Sequence, residues 1–204
     1  MHHWLTFSRP CLAVAFCVGV GFASQQGRLT TTIMIVLLLI GVAAELTDLF
    51  DGMVARWAGA ASELGGLFDP LADSLSRLAI YFSLAMAGWV AMAVPLVMTA
   101  RDISVAYSRI VLARTGGKTS ARLAGKVKAG VQAVGFLALV VLAWLADHGR
   151  ANFALWGRWV VGTIVIVVTV WSAVEYVRAA VRGIECLRKL QTAKKESERH
   201  EAKG

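Results

Sequence analysis

Apolar residues along this chain gather into six long runs separated by short polar or glycine-rich breaks. A helix crossing a bilayer needs about 20 mostly apolar residues. The pattern predicts spans at roughly 5–23, 29–57, 67–89, 92–113, 125–146 and 153–177. Strand-like alternation is sparse, so the expected class is all-α, a polytopic six-transmembrane-helix bundle. Residues 1–9, with Trp4 and Phe7, predict a short amphipathic helix lying in the membrane interface ahead of the first span. A signal peptide is the rival reading of this stretch, because its apolar core closes on Gly21-Phe22-Ala23. Pro70 is expected in the first turn of the third span, where a missing N–H costs little. Beyond Arg178 the apolar pattern gives way to alternating charge, which predicts a solvated helix. The expected division is a membrane domain over 1–182 and a charged cytoplasmic tail over 183–204.

The polar exceptions carry the chemistry. Asp48 and Asp51 stand three apart and Asp69 and Asp73 four apart, so on helices each pair shares a face. Carboxylates at bilayer depth are costly and normally face a bundle interior or a water-filled cavity. Four of them close together repel one another unless cations sit between them. All-oxygen ligands suit Mg²⁺, Mn²⁺ or Ca²⁺, and two such ions clamp both oxygens of a phosphoryl displacement. Gly52 permits close approach to the helix, Ala55 keeps the same face low, and Arg56 offers a fixed charge for phosphate. Gly59, Gly65 and Gly66 place the turn between the two Asp-bearing helices over 58–66. Glu45, one turn before Asp48, reads either as a further metal ligand or as a partner for a basic residue. Arg77, four after Asp73, predicts a salt bridge. In the fourth span Arg101, Asp102 and Arg109 are ionisable among apolar neighbours, as functional groups or, for Arg101–Asp102, as an internal pair.

Written out, Asp48-x2-Asp51-Gly52-x2-Ala55-Arg56-x8-Gly65-x3-Asp69-x3-Asp73 resembles the signature of the CDP-alcohol phosphatidyltransferases, in register at every fixed position. The resemblance implies an enzyme of phospholipid biosynthesis that transfers a phosphatidyl group from CDP-diacylglycerol to an alcohol and releases CMP. It implies two divalent ions, Mg²⁺ or Mn²⁺, on Asp48, Asp51, Asp69 and Asp73, with Asp73 the catalytic base. Asp48, Gly52, Ala55, Arg56 and Thr6 would bind CDP. Thr6-x-x-Arg9 matches half of a family pattern whose first residue is Asn, and His3 stands in that place. The family also implies a homodimer with a polar cavity open to the cytoplasm. Asp69-Pro70-Leu71-Ala72-Asp73 and Gly125-Lys126-x-Lys128 resemble the bacterial phosphatidylglycerophosphate synthase subgroup, whose acceptor is glycerol 3-phosphate. Arg101, Arg109, Lys126 and Lys128 suit a phosphorylated acceptor, because a dianion in a lipid cavity wants several cations. Ser74 departs from the subgroup, which commonly has Lys there, so inositol 1-phosphate remains an alternative acceptor.

Composition narrows the partners. At 57% hydrophobic and a mean hydropathy of +0.64, the chain is too apolar for a soluble domain of 204 residues. Its +8 charge therefore reports topology and anionic lipid rather than nucleic acid. Arg9, Arg56, Arg114, Lys118, Arg122, Lys126, Lys128 and the tail fall at one face, against Arg28, Arg150 and Arg158 at the other. The positive-inside rule then predicts a multi-pass protein of the cytoplasmic (inner) membrane with both termini cytoplasmic. Cys11, Cys17 and Cys186 are too scattered for a disulfide framework or a zinc site. An ion-coupled transporter is the alternative from another class, but it needs acidic residues reaching both faces, and these gather near one.

Overall fold

The computed structural model describes the backbone over residues 3–58, 63–115 and 122–201, and side chains over 9–47, 71–112, 123–185, 188–189 and 192. The described residues form helices with no strand: α1 (His3–Gln25), α2 (Thr31–Ala58), α3 (Glu63–Met86), α4 (Ala93–Thr115), α5 (Arg122–Asp147) and α6 (Ala151–Glu201). Three of the connections end a helix in the same way. Gly27, Gly88 and Gly149 take φ of 65°, 73° and 84°, a left-handed conformation open to glycine at little cost. Trp89 N–H then reaches back to Leu84 O at 2.9 Å, and Arg150 N–H to Leu145 O at 3.0 Å, satisfying carbonyls the helix leaves open.

Several boundaries correct the sequence reading. No separate interfacial helix precedes the first span, because His3–Gln25 is one helix that runs through Pro10. The helix α3 starts at Glu63, so Gly65 and Gly66 lie within it rather than in a turn, and Pro70 falls well inside instead of in the first turn. At the other end α6 continues unbroken for 51 residues, about 77 Å at 1.5 Å per residue, so the charged tail prolongs the last apolar helix. Propensity for helix persists through the tail's Lys, Glu, Ala and Arg, which explains why no break falls near residue 182.

The helix α1 packs on both α2 and α3, while α6 packs on α4 and α5; α5 also meets α2 and α3, joining the two groups. The core sits at that join. Phe16, Leu37, Tyr81, Leu84, Phe136, Leu139 and Val165 are fully buried, and Phe16 meets Phe136 edge to face at 5.7 Å. Outward faces stay apolar, with Val14, Val18, Leu39, Trp156, Trp159 and Val167 exposed. An apolar exterior of this extent suits hydrocarbon rather than water. Two stretches among the described residues are long and apolar enough to cross a membrane, Leu123–Asp147 and Ala151–Glu185, and the apolar helices Arg9–Gln25 and Thr31–Thr47 are shorter.

Candidate active site

The helices α1, α2 and α3 enclose a small cleft lined by Arg9, Ala13, Ala44, Glu45, Asp73, Ser76, Arg77 and Ile80. Its polar residues come from apolar helices at positions where one charged side chain turns inward. Asp73 Oδ1 accepts from Arg77 Nε at 3.0 Å and from Arg9 Nη1 at 3.3 Å. Arg77 Nη2 donates to Glu45 Oε2 at 3.1 Å, and Arg77 Nη1 to the Ala129 carbonyl at 2.8 Å. The expected Asp73–Arg77 bridge is therefore present, and Glu45 is the partner of a basic residue. Arg77 is nearly sealed from solvent at 5% side-chain exposure, whereas the Asp73 carboxylate keeps 28%. Among the described residues, the bonds to Asp73 from Arg77 and Arg9 both fall on Oδ1, and Oδ2 lies outside them.

The other three aspartates of the motif belong to α2 and α3. Asp48 and Asp51 follow Glu45 along α2, and Asp69 precedes Asp73 by one turn of α3. The side chains of Thr6, Asp48, Asp51, Gly52, Ala55, Arg56 and Asp69 lie outside the described residues. Among the described residues no three His, Cys, Asp or Glu side chains gather to hold a metal. The donor chemistry nevertheless fits a hard divalent cation, since every carboxylate here offers oxygen only and Asp73 keeps one oxygen off its arginines.

A second polar group lies where α4, α5 and α6 meet. Asp102 Oδ1 accepts from Arg101 Nη1 at 2.7 Å and from Lys128 Nζ at 3.2 Å. Arg101 Nη2 also donates to the buried Ser172 Oγ at 2.7 Å. The guanidinium carbons of Arg101 and Arg109 stand 5.4 and 5.6 Å from the centre of the Tyr176 ring, within cation–π range. Of the four cations expected to meet an acceptor phosphate, Arg101 and Lys128 are thus brought together on Asp102, which makes Arg101–Asp102 an internal pair as well, and Arg109 shares the Tyr176 ring with Arg101. Lys126 is exposed, two residues from the buried Lys128 and so on the other side of α5.

Sequence reasoning missed the polar residues that support both groups. Arg9, which the sequence marks as half of a pattern and as a topology charge, crosses 64 positions to reach Asp73. Gln132 Nε2 donates to Thr169 Oγ1 at 3.1 Å, and Tyr81 Oη donates to the Gln132 carbonyl at 2.8 Å. A signal existed: Thr169, Ser172 and Tyr176 recur at spacings of three and four within an apolar run, which marks one buried face.

The CDP-alcohol phosphatidyltransferase family model matches residues 2–177, and the chain belongs to that family of membrane-lipid enzymes. Members of the family use divalent metal ions. A probable phosphatidylglycerophosphate synthase of Mycobacterium tuberculosis is 34% identical over 148 residues, covering 72% of this chain and 66% of the relative, just under two thirds of its length. The CDP-diacylglycerol--glycerol-3-phosphate 3-phosphatidyltransferase of Bacillus subtilis is 32% identical over 146 residues, covering 68% of this chain and 69% of the relative. The protein of the same name from Sodalis glossinidius is 28% identical over 182 residues, covering 87% and 92%. Apolar helices and a lipid-synthesis family together mark a membrane protein.

Proposed function

We propose that this chain transfers the phosphatidyl group of CDP-diacylglycerol to the hydroxyl of glycerol 3-phosphate, giving phosphatidylglycerophosphate and CMP. Its membership of the family, with relatives so named, supports the reaction. The observation that carries the choice of acceptor is the α4–α5–α6 group. Two cations, Arg101 and Lys128, meet a single carboxylate, Asp102, and Arg109 stands with Arg101 at the Tyr176 ring, which leaves positive charge matched to a phosphate dianion.

Asp48, Asp51, Asp69 and Asp73 would hold two divalent ions, Mg²⁺ or Mn²⁺, which when bound neutralise the diphosphate and stabilise the departing CMP phosphate. Asp73 takes the proton of the acceptor hydroxyl as that oxygen attacks phosphorus. Thr6, Asp48, Gly52, Ala55 and Arg56 form the CDP pocket, where small residues admit the nucleotide and Arg56 meets its phosphate. Arg101, Arg109 and Lys128 hold the acceptor phosphate. The chain spans the inner membrane six times as a homodimer, with both termini cytoplasmic, so CMP leaves into water. Residues 1–182 form the catalytic domain, and 183–204 form a charged cytoplasmic tail, helical as far as Glu201.

CMP release by the purified protein with CDP-diacylglycerol and Mg²⁺ tests this. Glycerol 3-phosphate should support release, Asp73→Asn should lower it by about 100-fold or more, and EDTA should abolish it until Mg²⁺ or Mn²⁺ is restored. Release with inositol 1-phosphate alone would keep the chemistry and change the acceptor. Activity that survives EDTA would remove the metal from the reading.

A further inference from the structure

We propose that Arg77 is the positioning residue for Asp73, fixing the carboxylate so that Oδ2 is presented to the acceptor hydroxyl. The inference rests on the reading of Asp73 as the base. Its ground is the way one guanidinium distributes its nitrogens. Nε holds Asp73 Oδ1 on α3 at 3.0 Å, Nη2 holds Glu45 Oε2 on α2 at 3.1 Å, and Nη1 holds the Ala129 carbonyl on α5 at 2.8 Å. A guanidinium is planar with N–H groups in fixed directions, so bonds to three different helices leave it one orientation.

That orientation passes to Asp73. With Oδ1 pinned by Arg77, and by Arg9 from α1 at 3.3 Å, rotation of the carboxylate breaks two charge-assisted bonds, so Oδ2 keeps a fixed direction. The third bond adds a link across the site. Ala129 directly follows Lys128, whose ammonium lies 3.2 Å from Asp102 Oδ1 in the cationic group on α4 and α5. Arg77 therefore ties the proton acceptor to the turn of α5 that carries an acceptor-phosphate cation, and sets the spacing between the two. Misplacing a reacting group by about 1 Å costs on the order of 100-fold in rate.

Arg77→Lys and Arg77→Gln, purified in detergent beside Asp73→Asn, test this through kcat and KM for CMP release and through the thermal midpoint. Lysine keeps the charge but has one nitrogen, which cannot meet three helices. A positioning role predicts kcat lower by about 10- to 100-fold in both Arg77 variants, with KM for CDP-diacylglycerol within about twofold of the parent. Wild-type kcat in folded Arg77→Lys overturns the proposal, because charge alone then suffices. Failure of both variants to fold also overturns it, because the residue is then scaffold. Activity in Asp73→Asn removes the base reading itself, whereas an inactive Asp73→Asn beside a fully active Arg77→Lys removes only the role of Arg77.

Discussion

Asp102 shows how much a single residue can organise. It stands among cations, bonded to Arg101 at 2.7 Å and Lys128 at 3.2 Å. Burying two cations side by side is costly unless a carboxylate sits between them, so Asp102 makes the cationic group affordable within apolar helices. Substitution of Lys128 by Met then separates binding from folding. Asp102 keeps Arg101 as its partner, while an incoming phosphate loses one charge-assisted bond, a loss of about 1.5–3 kcal/mol. We expect KM for glycerol 3-phosphate to rise by about tenfold or more while KM for CDP-diacylglycerol stays unchanged. Initial-rate measurements with each substrate varied in turn decide this. An equal rise in both constants would count against the acceptor assignment.

At the scale of elements, α5 is the helix on which the others converge. Arg77 grips its Ala129 carbonyl, Tyr81 its Gln132 carbonyl, and Thr169 of α6 its Gln132 side chain. Such polar links between helices in lipid average about 0.6 kcal/mol each, so close packing must supply much of the rest. Among the α5 glycines, Gly135 has the closest neighbours. A Cβ there would stand 2.7 Å from Tyr81 Oη and 3.0 Å from Val165 Cγ2, pressing on α3 and α6 together. Gly135→Ala should therefore destabilise the protein by about 1–3 kcal/mol. Gly130→Ala on the same helix meets nothing within 4 Å and should be neutral or stabilising by up to about 1 kcal/mol. Unfolding of the two variants in one detergent compares them directly, and equal stability would deny the close approach.

Over the whole molecule, the three glycine-ended connections at 26–30, 87–92 and 148–150 carry few charges. The basic residues gather instead about the 116–121 connection and in the tail, with Arg56 just ahead of the 59–62 connection. By the positive-inside rule, the proposed six-span topology would put the first set outside and the second in the cytoplasm. With the native cysteines replaced by serine, a cysteine at His148 should react with an impermeant thiol reagent in intact cells. One at His200 should react only after lysis. The reverse pattern would place the aspartate motif at the wrong face for CMP to leave into the cytoplasm.

The sequence by itself determined whatever depends on neighbours along the chain. Apolar run length set the helical membrane class, the 26 residues from Asp48 to Asp73 identified the family, and the four-residue spacing of Asp73 and Arg77 specified their bridge. It was less accurate at helix ends, where α3 begins before Gly65 and Gly66, because a glycine's preference for turns is a small bias that packing overrides. Only the tertiary structure decided which charges meet across helices: Arg9 with Asp73, Glu45 with Arg77, Lys128 with Asp102, and Arg101 with Arg109 about Tyr176. Periodicity assigns a residue to a face but says nothing of which helix that face meets. A buried charge is stable only beside its counter-charge, so the chain's packing, rather than its local pattern, chose these partners.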